Sequence, residues 1–494
     1  MNDSSDHKAV IWKAFLVFVV LLVASAHGAT ISVYPGESIQ AAIEIVSPGD
    51  TIEVLGGIYN ENLHINKQIN LLGLESERGN PIIVGSTGGS ALVLNAGGCV
   101  ISGLAFDGSS GDIGAGIEVK SNNNTIFGNT ADRNSYGIIL LNASYNEIRD
   151  NNISENSAFG IALVNSNYNN ISRNIINHNR YGMMVANCIE NNVAFNEVSF
   201  NEVGGISLNN ASRNNVTGNE VLYNRFNGVG LWHSSQNIID RNRINFNNRN
   251  GLILWNSVHN IVTSNALHNR KAGIFLFNSL NNNIEGNEAS GKGSRGFGIL
   301  LTRSFYNNIA ENNANGSIRW GDGIHLKSSG NNLIRGNNAK GGEMGSGIAL
   351  LGSNGNSIVE NNATSRYLWG NGIFLSRSRD NMIKGNRVWN NGDDGIYMRD
   401  SDGNTITEND VLYNKGTGID LASGFWQVGC DHNAITDNNA SYNKRGINLF
   451  YSSRNVISGN MADKNEKADI ILVNSGRNTV SGNAGRFEDA WTGP

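Results

Sequence analysis

The chain has 494 residues, is 39% hydrophobic and carries a formal net charge of −5 with a sequence pI of about 6.0. This length and apolar content would be enough for several ordinary cores. The acidic balance and the lack of a basic stripe along the sequence argue against nucleic acid as a partner.

Residues 1–29 are predicted to be a secretory signal peptide. Lys8 and Lys13 flank the start of an apolar run over residues 14–23, and residues 24–26 (Ala-Ser-Ala) form a small-residue cleavage site. An uncleaved anchor is the alternative, although the run is short for a membrane span. The predicted location is therefore secreted, extracellular or cell-surface (periplasmic if Gram-negative), with a membrane as partner only through an uncleaved signal segment.

Residues 30–56 differ from the rest of the chain. They contain a strand and turn, a short amphipathic helix over residues 38–44 with Ser38 as its N-cap, and a strand over residues 51–55. Residues 57–115 follow as short apolar runs of irregular spacing, which we interpret as the first, irregular turns of the fold.

One repeat fills residues 116–485 and leaves residues 486–494 as a tail. Its unit, Asn-x-[Ile/Val]-x-x-Asn, occurs sixteen times, mostly 22 or 23 residues apart. The units start at Asn124, Asn146, Asn169, Asn191, Asn214, Asn237, Asn260, Asn282, Asn307, Asn332, Asn356, Asn381, Asn404, Asn433, Asn455 and Asn478.

A glycine opens an alternating apolar segment fifteen times, from Gly116 to Gly446. The residues one and three places after it are apolar, as Ile274 and Leu276 are after Gly273, and this is the period of a strand with one buried face. With two further short apolar segments per repeat, the pattern predicts an all-β, single-stranded right-handed parallel β-helix. At about 4.8 Å per turn, sixteen regular turns make a rod of roughly 75–80 Å. A leucine-rich repeat has a similar period, but its L-x-x-L-x-L pattern is absent.

The repeated asparagines are predicted to be structural. Stacked corners bring identical amides one strand spacing apart, so each can donate to the next in an asparagine ladder. We expect the asparagines themselves to adopt the positive φ of a tight corner. Proline would interrupt such ladders, and no proline lies within the repeats. The helix that begins after Ser38 is expected to cover the open end of the rod.

The segment SIQAAIEIVSPGDTIEVLGGIYNENLHINKQINLLG, followed by the asparagine turns, resembles the NosD-like right-handed β-helix proteins. These belong with the carbohydrate-binding and sugar-hydrolase repeat group of pectin-lyase-like folds. The resemblance covers nearly all of residues 30–485 and lies in scaffold motifs. It implies the fold and leaves the activity open. The group includes polysaccharide lyases, hydrolases, epimerases, archaeal surface β-helix proteins, and a periplasmic factor for copper and nitrous oxide reductase maturation.

Outward-facing positions of the glycine-led strands form columns. Trp232, Trp255 and Phe277 occupy one column in three consecutive turns, so they are predicted to stack on the surface. Such flat faces suit sugar rings. Alternatively, a loop covers them, or they stiffen the sheet as cross-strand pairs.

Four successive turns lengthen just before the glycine-led strand, and loops on one edge of a rod would wall a groove. The insertions are residues 288–297, 313–322, 339–346 and 363–371, and a further one at residues 423–431 would close the far end. The predicted substrate-binding residues are Trp232, Trp255, Phe277, His325, Lys327, Trp320, Tyr367 and Trp369.

A polar constellation lies further along these strands, with Asp394, Tyr397 and Arg399 on one strand and Asp420 one turn on. A lyase or epimerase acting on uronic acids needs a cation for the substrate carboxylate and a base for the adjacent proton. The candidates for the cation are Arg399 and Lys327, and the candidates for the base are Tyr397 and His325. A hydrolase needs two carboxylates about 5–9.5 Å apart, and Asp394 and Asp420 are expected about 10 Å apart. Alternatively, these charges only keep a solvated sheet face soluble.

The sequence predicts no metal site. The only soft cluster within one turn is His178, Met183, Met184 and Cys188, of which Met183 faces inward. Copper would enter only through the family resemblance, and calcium only if the chain is a lyase. The cysteines (Cys99, Cys188 and Cys430) lie several turns apart, so we interpret them as buried small residues without disulfides.

The predicted function is binding of polysaccharide or cell-surface glycan along the groove of residues 228–432. One alternative is a polysaccharide lyase, epimerase or hydrolase that uses Asp394, Tyr397, Arg399 and Asp420. The other is a NosD-like accessory protein or a purely structural surface protein.

Overall fold

The computed structural model describes residues 28–365, 368–423 and 429–490. They form a right-handed parallel β-helix of about nineteen turns with one short helix, so the predicted fold class is confirmed. Within these residues no helix has the length and apolar character needed to cross a membrane. The predicted signal segment, residues 1–29, lies almost wholly outside the described residues.

The turns stack into three parallel sheets, which we name by the residue that precedes their strands in the repeat. The glycine sheet has the strands Leu63–Ile65, Leu92–Leu94, Ala115–Val119, Tyr136–Leu141, Phe159–Val164, Tyr181–Ala186, Ile206–Asn209, Val229–Trp232, Leu252–Trp255, Ala272–Phe277, Phe297–Thr302, Ile324–Lys327, Ile348–Leu351, Ile373–Ser376, Ile396–Arg399, Thr417–Ala422, Arg445–Phe450, Ala468–Val473 and Phe487–Ala490.

The other two sheets follow the two asparagines of the repeat unit. The first asparagine sheet has the strands Thr30–Val33, Thr51–Leu55, Asn70–Leu74, Val100–Ser102, Thr125–Phe127, Glu147–Arg149, Asn170–Ser172, Asn192–Ala194, Asn215–Thr217, Ile238–Asp240, Ile261–Thr263, Asn283–Glu285, Asn308–Ala310, Leu333–Arg335, Ser357–Val359, Met382–Lys384, Thr405–Thr407, Ala434–Thr436, Val456–Ser458 and Thr479–Ser481. The second asparagine sheet has the strands Gly57–Tyr59, Pro81–Val84, Ala105–Asp107, Thr130–Asp132, Asn152–Ser154, Ile175–Asn177, Glu197–Ser199, Glu220–Leu222, Arg243–Asn245, Ala266–Asn269, Glu288–Gly291, Asn313–Asn315, Asn338–Lys340, Asn362–Thr364, Arg387–Trp389 and Asp410–Leu412.

A continuous apolar core runs along the inside of the rod. Each turn places its inward residues in register with those of the next, so that Ile274 lies between Leu252 and Ile299 in the glycine sheet. All three side chains are fully buried, because alternate residues of a strand point to opposite faces. The outward columns are therefore held at one strand spacing along the whole sheet.

Asn242 shows how the asparagine ladder is built. Its side-chain oxygen accepts hydrogen bonds from the backbone and side-chain N–H groups of Asn219, at 2.9 and 3.0 Å. Its side-chain nitrogen donates to the side-chain oxygen of Asn265 at 3.0 Å and to the carbonyl of Val216 at 2.8 Å. The side chain is almost fully buried, so these bonds satisfy groups that water does not reach.

The positive φ falls on the residue before the ladder asparagine. Arg241, with φ of 50°, precedes Asn242, and Gln236, with φ of 57°, precedes Asn237. The prediction that the ladder asparagines themselves take the left-handed conformation is therefore wrong. The amide has to point into the corner to reach the next turn, and the preceding residue makes the bend with its side chain outside.

Two further ladders lie outside the repeat unit recognised in the sequence. A third asparagine ladder stops at Asn269 and resumes at Asn391, and the insertions lie in the turns between them. A serine ladder follows the glycine sheet, and two cysteines take the place of serine in it. The thiols of Cys188 and Cys430 accept hydrogen bonds from the backbone N–H groups of serines in the preceding turn. All three cysteines are free and buried, as predicted.

The helix Ile39–Ile45 packs at the N-terminal end of the rod. The hydroxyl of Ser38 accepts a hydrogen bond from the backbone N–H of Ala41, which confirms Ser38 as the N-cap. Ile39 and Ile43 are buried in the same core as the first strands, so the helix covers apolar surface there.

Candidate functional site

The predicted aromatic row lies on the outer face of the glycine sheet. Trp232 and Trp255 have ring centroids 5.7 Å apart, and Trp255 and Phe277 stack at 4.1 Å. Phe275 meets Phe277 edge-on at 6.2 Å. The rings are partly buried, because each covers part of its neighbour. They form one continuous apolar surface over three turns.

A cleft of about 860 Å³ opens beside this row, and we name it the basic cleft. Trp232, Trp255 and Phe275 line it, whereas Phe277 does not. Its cationic lining residues are Arg225, Arg249, Arg270, Lys271 and Arg295. A partly apolar cleft with polar groups around it is the usual form of a small-ligand or sugar site.

Sequence reasoning missed most of this charge. A cation follows the third asparagine ladder in three consecutive turns, at Arg225, at Arg249 and at Arg270 with Lys271. The expectation that the chain has no basic stripe holds for its overall composition but is wrong at this corner. The cations at equivalent positions of three consecutive repeats could have been found in the sequence, but the negative net charge of the whole chain drew attention away from them.

The insertions stack on one another along one edge of the rod. The backbone N–H of Ser317 donates to Gly296, and that of Glu343 donates to Ile318, so successive loops are joined by hydrogen bonds. Among the described residues of the insertions, those that line the basic cleft belong to the first one, namely residues 293–295 and Phe297. Trp320 and Trp369 lie exposed on later insertions, away from the cleft lining. Tyr367, another predicted binding residue, lies outside the described residues.

His325 is almost completely buried. Its Nδ1 atom lies 2.6 Å from a carboxylate oxygen of Asp322, and its ring lies 5.0 Å from that of Phe297. The other oxygen of Asp322 accepts a hydrogen bond from the backbone of Ser346. The pair is thus held within the sheet, whereas Lys327, two residues along the strand, is exposed.

The second candidate site is the carboxyl cluster, which we define as Asp393, Asp394 and Asp420. One oxygen of Asp394 accepts the backbone N–H of Thr417 at 2.6 Å. Asp420 accepts a hydrogen bond of 2.6 Å from the side chain of Asn448 in the next turn. Each of these two carboxyls therefore has one oxygen fixed by the fold.

Both of these carboxyls have raised pKa values. Burial, followed by the charges of Asp420 and Asp393, raises the pKa of Asp394 to about 8. Burial also raises the pKa of Asp420, to about 6, against the opposing effect of its hydrogen bond from Asn448 and the charge of Arg445. Because the two carboxyls interact, they titrate as a pair, and a carboxyl pair with raised pKa values is a candidate for acid–base chemistry.

Tyr397 and Arg399 border the carboxyl cluster. Tyr397 is the strand partner of Asp420 and stacks on Phe374 at 5.4 Å. Burial, followed by the charge of Asp420, raises the pKa of Tyr397. Arg399 is exposed and donates to the hydroxyl of Ser376 at 3.3 Å. The structure thus places together the four residues predicted for catalysis.

The two candidate sites are distant from each other. Seven strand pairings separate Trp255 from the turn of Asp420 in the glycine sheet. At about 4.8 Å per strand this is about 34 Å. The predicted binding and catalytic residues therefore do not form one compact pocket, although an extended polymer along the sheet would reach both.

The soft residues considered for copper do not converge. Met183 is buried in the core, and the thiol of Cys188 lies in the serine ladder, where it donates to the carbonyl of Ala186. His178 is on the outside and stacks on Phe200. Among the residues described, no group of three or more His, Cys, Asp and Glu side chains is arranged to hold a metal ion.

Models of known protein families match most of the chain. The family model described as "Periplasmic copper-binding protein (NosD)" matches residues 74–245, 225–367 and 417–486, which is well over half of the chain. A model for a right-handed β-helix region matches residues 298–439. No curated protein matches the chain.

Solved β-helix structures are similar at low identity. The periplasmic alginate epimerase AlgG is 17% identical with a TM-score of 0.38, over 57% of this chain and 84% of that one. The lidless DFA-IIIase from Arthrobacter chlorophenolicus A6 is 15% identical with a TM-score of 0.42, over 61% and 88%. The A-module of the mannuronan C-5 epimerase AlgE6 from Azotobacter vinelandii is 15% identical with a TM-score of 0.36, over 69% and 94%.

Proposed function

The chain belongs to the NosD family, and we propose that it acts outside the cytoplasm as a β-helix protein that binds polysaccharide along its glycine sheet. The family description is periplasmic, and the predicted signal segment is consistent with export. A secreted or cell-surface location belongs to the same proposal.

The two tryptophans of the aromatic row that line the basic cleft carry this proposal. Trp232 and Trp255 lie on neighbouring turns with ring centroids 5.7 Å apart, and their partly exposed rings offer apolar surface that can pack against the apolar faces of sugar rings. Strand stacking places one ring in each turn, about 4.8 Å apart, so a glycan lying along the rod would meet one ring after another. A rigid sheet holds the rings in place before binding, which reduces the entropy lost on association.

The copper in the family description has no counterpart in the described side chains. A copper site requires His, Met or Cys side chains that converge, and His178, Met183 and Cys188 point to three different environments. The proposed function therefore includes no step that uses copper.

Affinity electrophoresis through gels that contain a panel of neutral and acidic polysaccharides tests the proposal. We expect at least one polysaccharide to retard the parent protein and the Trp255→Ala protein to lose most of that retardation. The control is Trp389→Ala, because Trp389 is a partly buried tryptophan on the second asparagine sheet. Equal retardation of both variants, or no retardation of the parent on any gel, would contradict the proposal.

The carboxyl cluster supports a second candidate, a polysaccharide lyase, epimerase or hydrolase. The observation in its favour is a pair of neighbouring carboxyls, Asp394 and Asp420, whose raised pKa values let the pair hold and release a proton closer to neutral pH than ordinary carboxyls do. Arg399 would face a substrate carboxylate, and Tyr397 would assist proton transfer.

Product analysis distinguishes the two candidates. The parent and an Asp420→Asn protein are incubated with the same panel, with and without calcium, and the products are separated by size and analysed by NMR for epimerised units. Shortened or epimerised chains from the parent alone would establish the enzyme. Unchanged chains from a protein that is retarded in gels would exclude turnover of the panel and leave binding.

A further inference from the structure

The basic cleft carries a local charge opposite to that of the whole chain. The chain has a formal net charge of −5, yet five cationic side chains line the cleft and none of its described lining residues is a carboxylate. We propose that the cleft recognises the anionic groups of an acidic polysaccharide, one that bears carboxylates or sulfates. This inference rests on the proposed function and narrows its ligand to acidic glycans.

The cations are stacked by the fold itself. The backbone N–H of Lys271 donates to the carbonyl of Arg249, and that of Arg249 donates to the carbonyl of Phe226. Arg249 and Lys271 thus occupy equivalent corners about 4.8 Å apart along the rod. Like charges on neighbouring strands destabilise a sheet. An anion bound between them would relieve this repulsion.

Protein carboxylates do not neutralise these cations. The ion pairs found among the described residues involve none of the five cationic side chains. All five are exposed at the mouth of the cleft. By contrast, Arg243, which follows the second asparagine of a neighbouring corner, pairs with Glu220 at 3.0 Å. The cleft therefore keeps its charge available to an external ligand.

Two of the guanidinium groups are already positioned. That of Arg249 lies 4.5 Å from the ring centroid of Phe226, and Arg270 donates to the side-chain oxygen of Asn248 at 2.8 Å. Guanidinium groups form paired hydrogen bonds with carboxylate and sulfate oxygens, and a group that is held in place before binding loses less entropy when the ligand arrives.

The floor of the cleft supplies the apolar half of the recognition. A Cβ atom built on Gly230 would lie 2.8 Å from Nε1 of Trp232, so the missing side chain lets this indole lie over the strand. Aromatic side chains beside five cations match an acidic sugar, which has an apolar ring face and charged groups at its edge.

Matched pairs of polymers test this inference and do not require the natural ligand to be identified. Polygalacturonate is compared with its methyl ester, and dextran sulfate with dextran, in titrations at low and at about 0.5 M salt. Each pair shares a backbone and differs in charge. We expect the charged member to bind at least about tenfold more tightly at low salt, with most of the difference lost at high salt. The stronger of the two charged polymers identifies carboxylate or sulfate as the preferred group.

Charge-neutralising variants locate the effect. Arg249→Gln/Arg270→Gln should lose about tenfold or more in affinity for the charged polymer, with unchanged circular dichroism. The control is Arg454→Gln/Arg477→Gln, which removes two exposed cations from a distant corner and should change affinity less than about twofold.

Three results would overturn the inference. Equal binding of charged and neutral members would leave polysaccharide binding intact but remove the acidic preference. An equal loss in both double variants would exclude the cleft as the origin of the preference. Binding of a single-stranded oligonucleotide without binding of any polysaccharide would contradict both the inference and the proposed function.

Discussion

The asparagine ladder makes a quantitative prediction for Asn242→Ala. The replacement removes an amide that is almost fully buried and joined to three other residues by four hydrogen bonds. Asn265 keeps another donor, the backbone N–H of Asn242. Three other groups lose a bond to the amide: the backbone N–H and the side-chain NH2 of Asn219, and the carbonyl of Val216. The NH2 still donates to the carbonyl of Val193, and the Val216 carbonyl lies in the parallel ladder with the next strand. The backbone N–H of Asn219 is therefore the group left without a partner.

The size of the effect follows mainly from this one group. A buried polar group left without a partner costs about 1–3 kcal/mol, and the other lost bonds add about 1 kcal/mol, so the free energy of unfolding should fall by about 2–4 kcal/mol. Asn215→Ala is the matched control in the preceding turn. Asn215 is partly exposed and its side chain donates to Asn192 on the outer face, where water can replace the partner. Its loss should be about 1 kcal/mol or less.

Urea unfolding followed by circular dichroism measures both variants. Each turn of a solenoid is stabilised by its two neighbours, so damage at one corner should lower the midpoint of the main transition or split it into two. We expect Asn242→Ala to lose at least twice as much stability as Asn215→Ala. Equal losses would show that the buried ladder contributes no more than a surface contact, and would refute the reasoning.

Three further predictions concern titration, thiols and copper. The pKa of Asp394 is raised from 3.8 to about 8 in the folded protein, so the stability that this carboxyl contributes is full below about pH 4 and is lost as the pH rises through about 8. The loss is at most about 6 kcal/mol. In urea titrations across pH, Asp394→Asn should flatten this loss, whereas Asp410→Asn, at an exposed site, should not. Cys430 is buried and the pKa of its thiol is raised to about 12, so a thiol reagent should label it only after unfolding. Rapid labelling of the native protein would contradict its burial. Cys430→Ser should retain the ladder and lower the free energy of unfolding by less than about 1 kcal/mol. His178→Ala should leave copper retention after dialysis equal to that of the parent, as measured by elemental analysis; a loss of one equivalent would show that the soft cluster does assemble.

Much of the fold follows from two sets of regularly repeated residues in the sequence, the glycines and the asparagines. The glycine and asparagine registers predict the strands, their direction and the columns of outward side chains, because a β-helix repeats one geometry in each turn. The stacking of Trp232 on Trp255 follows from that register alone. The conformation of the corners does not, since the position of a positive φ depends on where the amide must point. The positive φ lies at the residue before each ladder asparagine, and the amino acid at that position differs from turn to turn, as Arg241 and Gln236 show.

The candidate sites were less predictable because they depend on how the corners stack. The four residues predicted for catalysis lie on strands of the glycine sheet or next to them, so register places Tyr397 beside Asp420. The basic cleft combines a corner, an insertion and a strand, and its charge arises from residues such as Arg249 that vary from turn to turn. The lengthened turns in the sequence predict loops along one edge of the rod. Their hydrogen bonds in the structure show that these loops stack on one another and that the basic cleft lies beside the first of them.

Hydroxyl-radical footprinting with and without oligogalacturonate tests the central claim most directly. The account predicts that bound glycan slows oxidation of Trp232, Trp255 and Phe275 in the basic cleft, while the rate at Trp389 on the second asparagine sheet is unchanged. Protection confined to the exposed Trp320 and Trp369, or no protection in a sample that binds the glycan, would place the binding surface elsewhere and contradict the account.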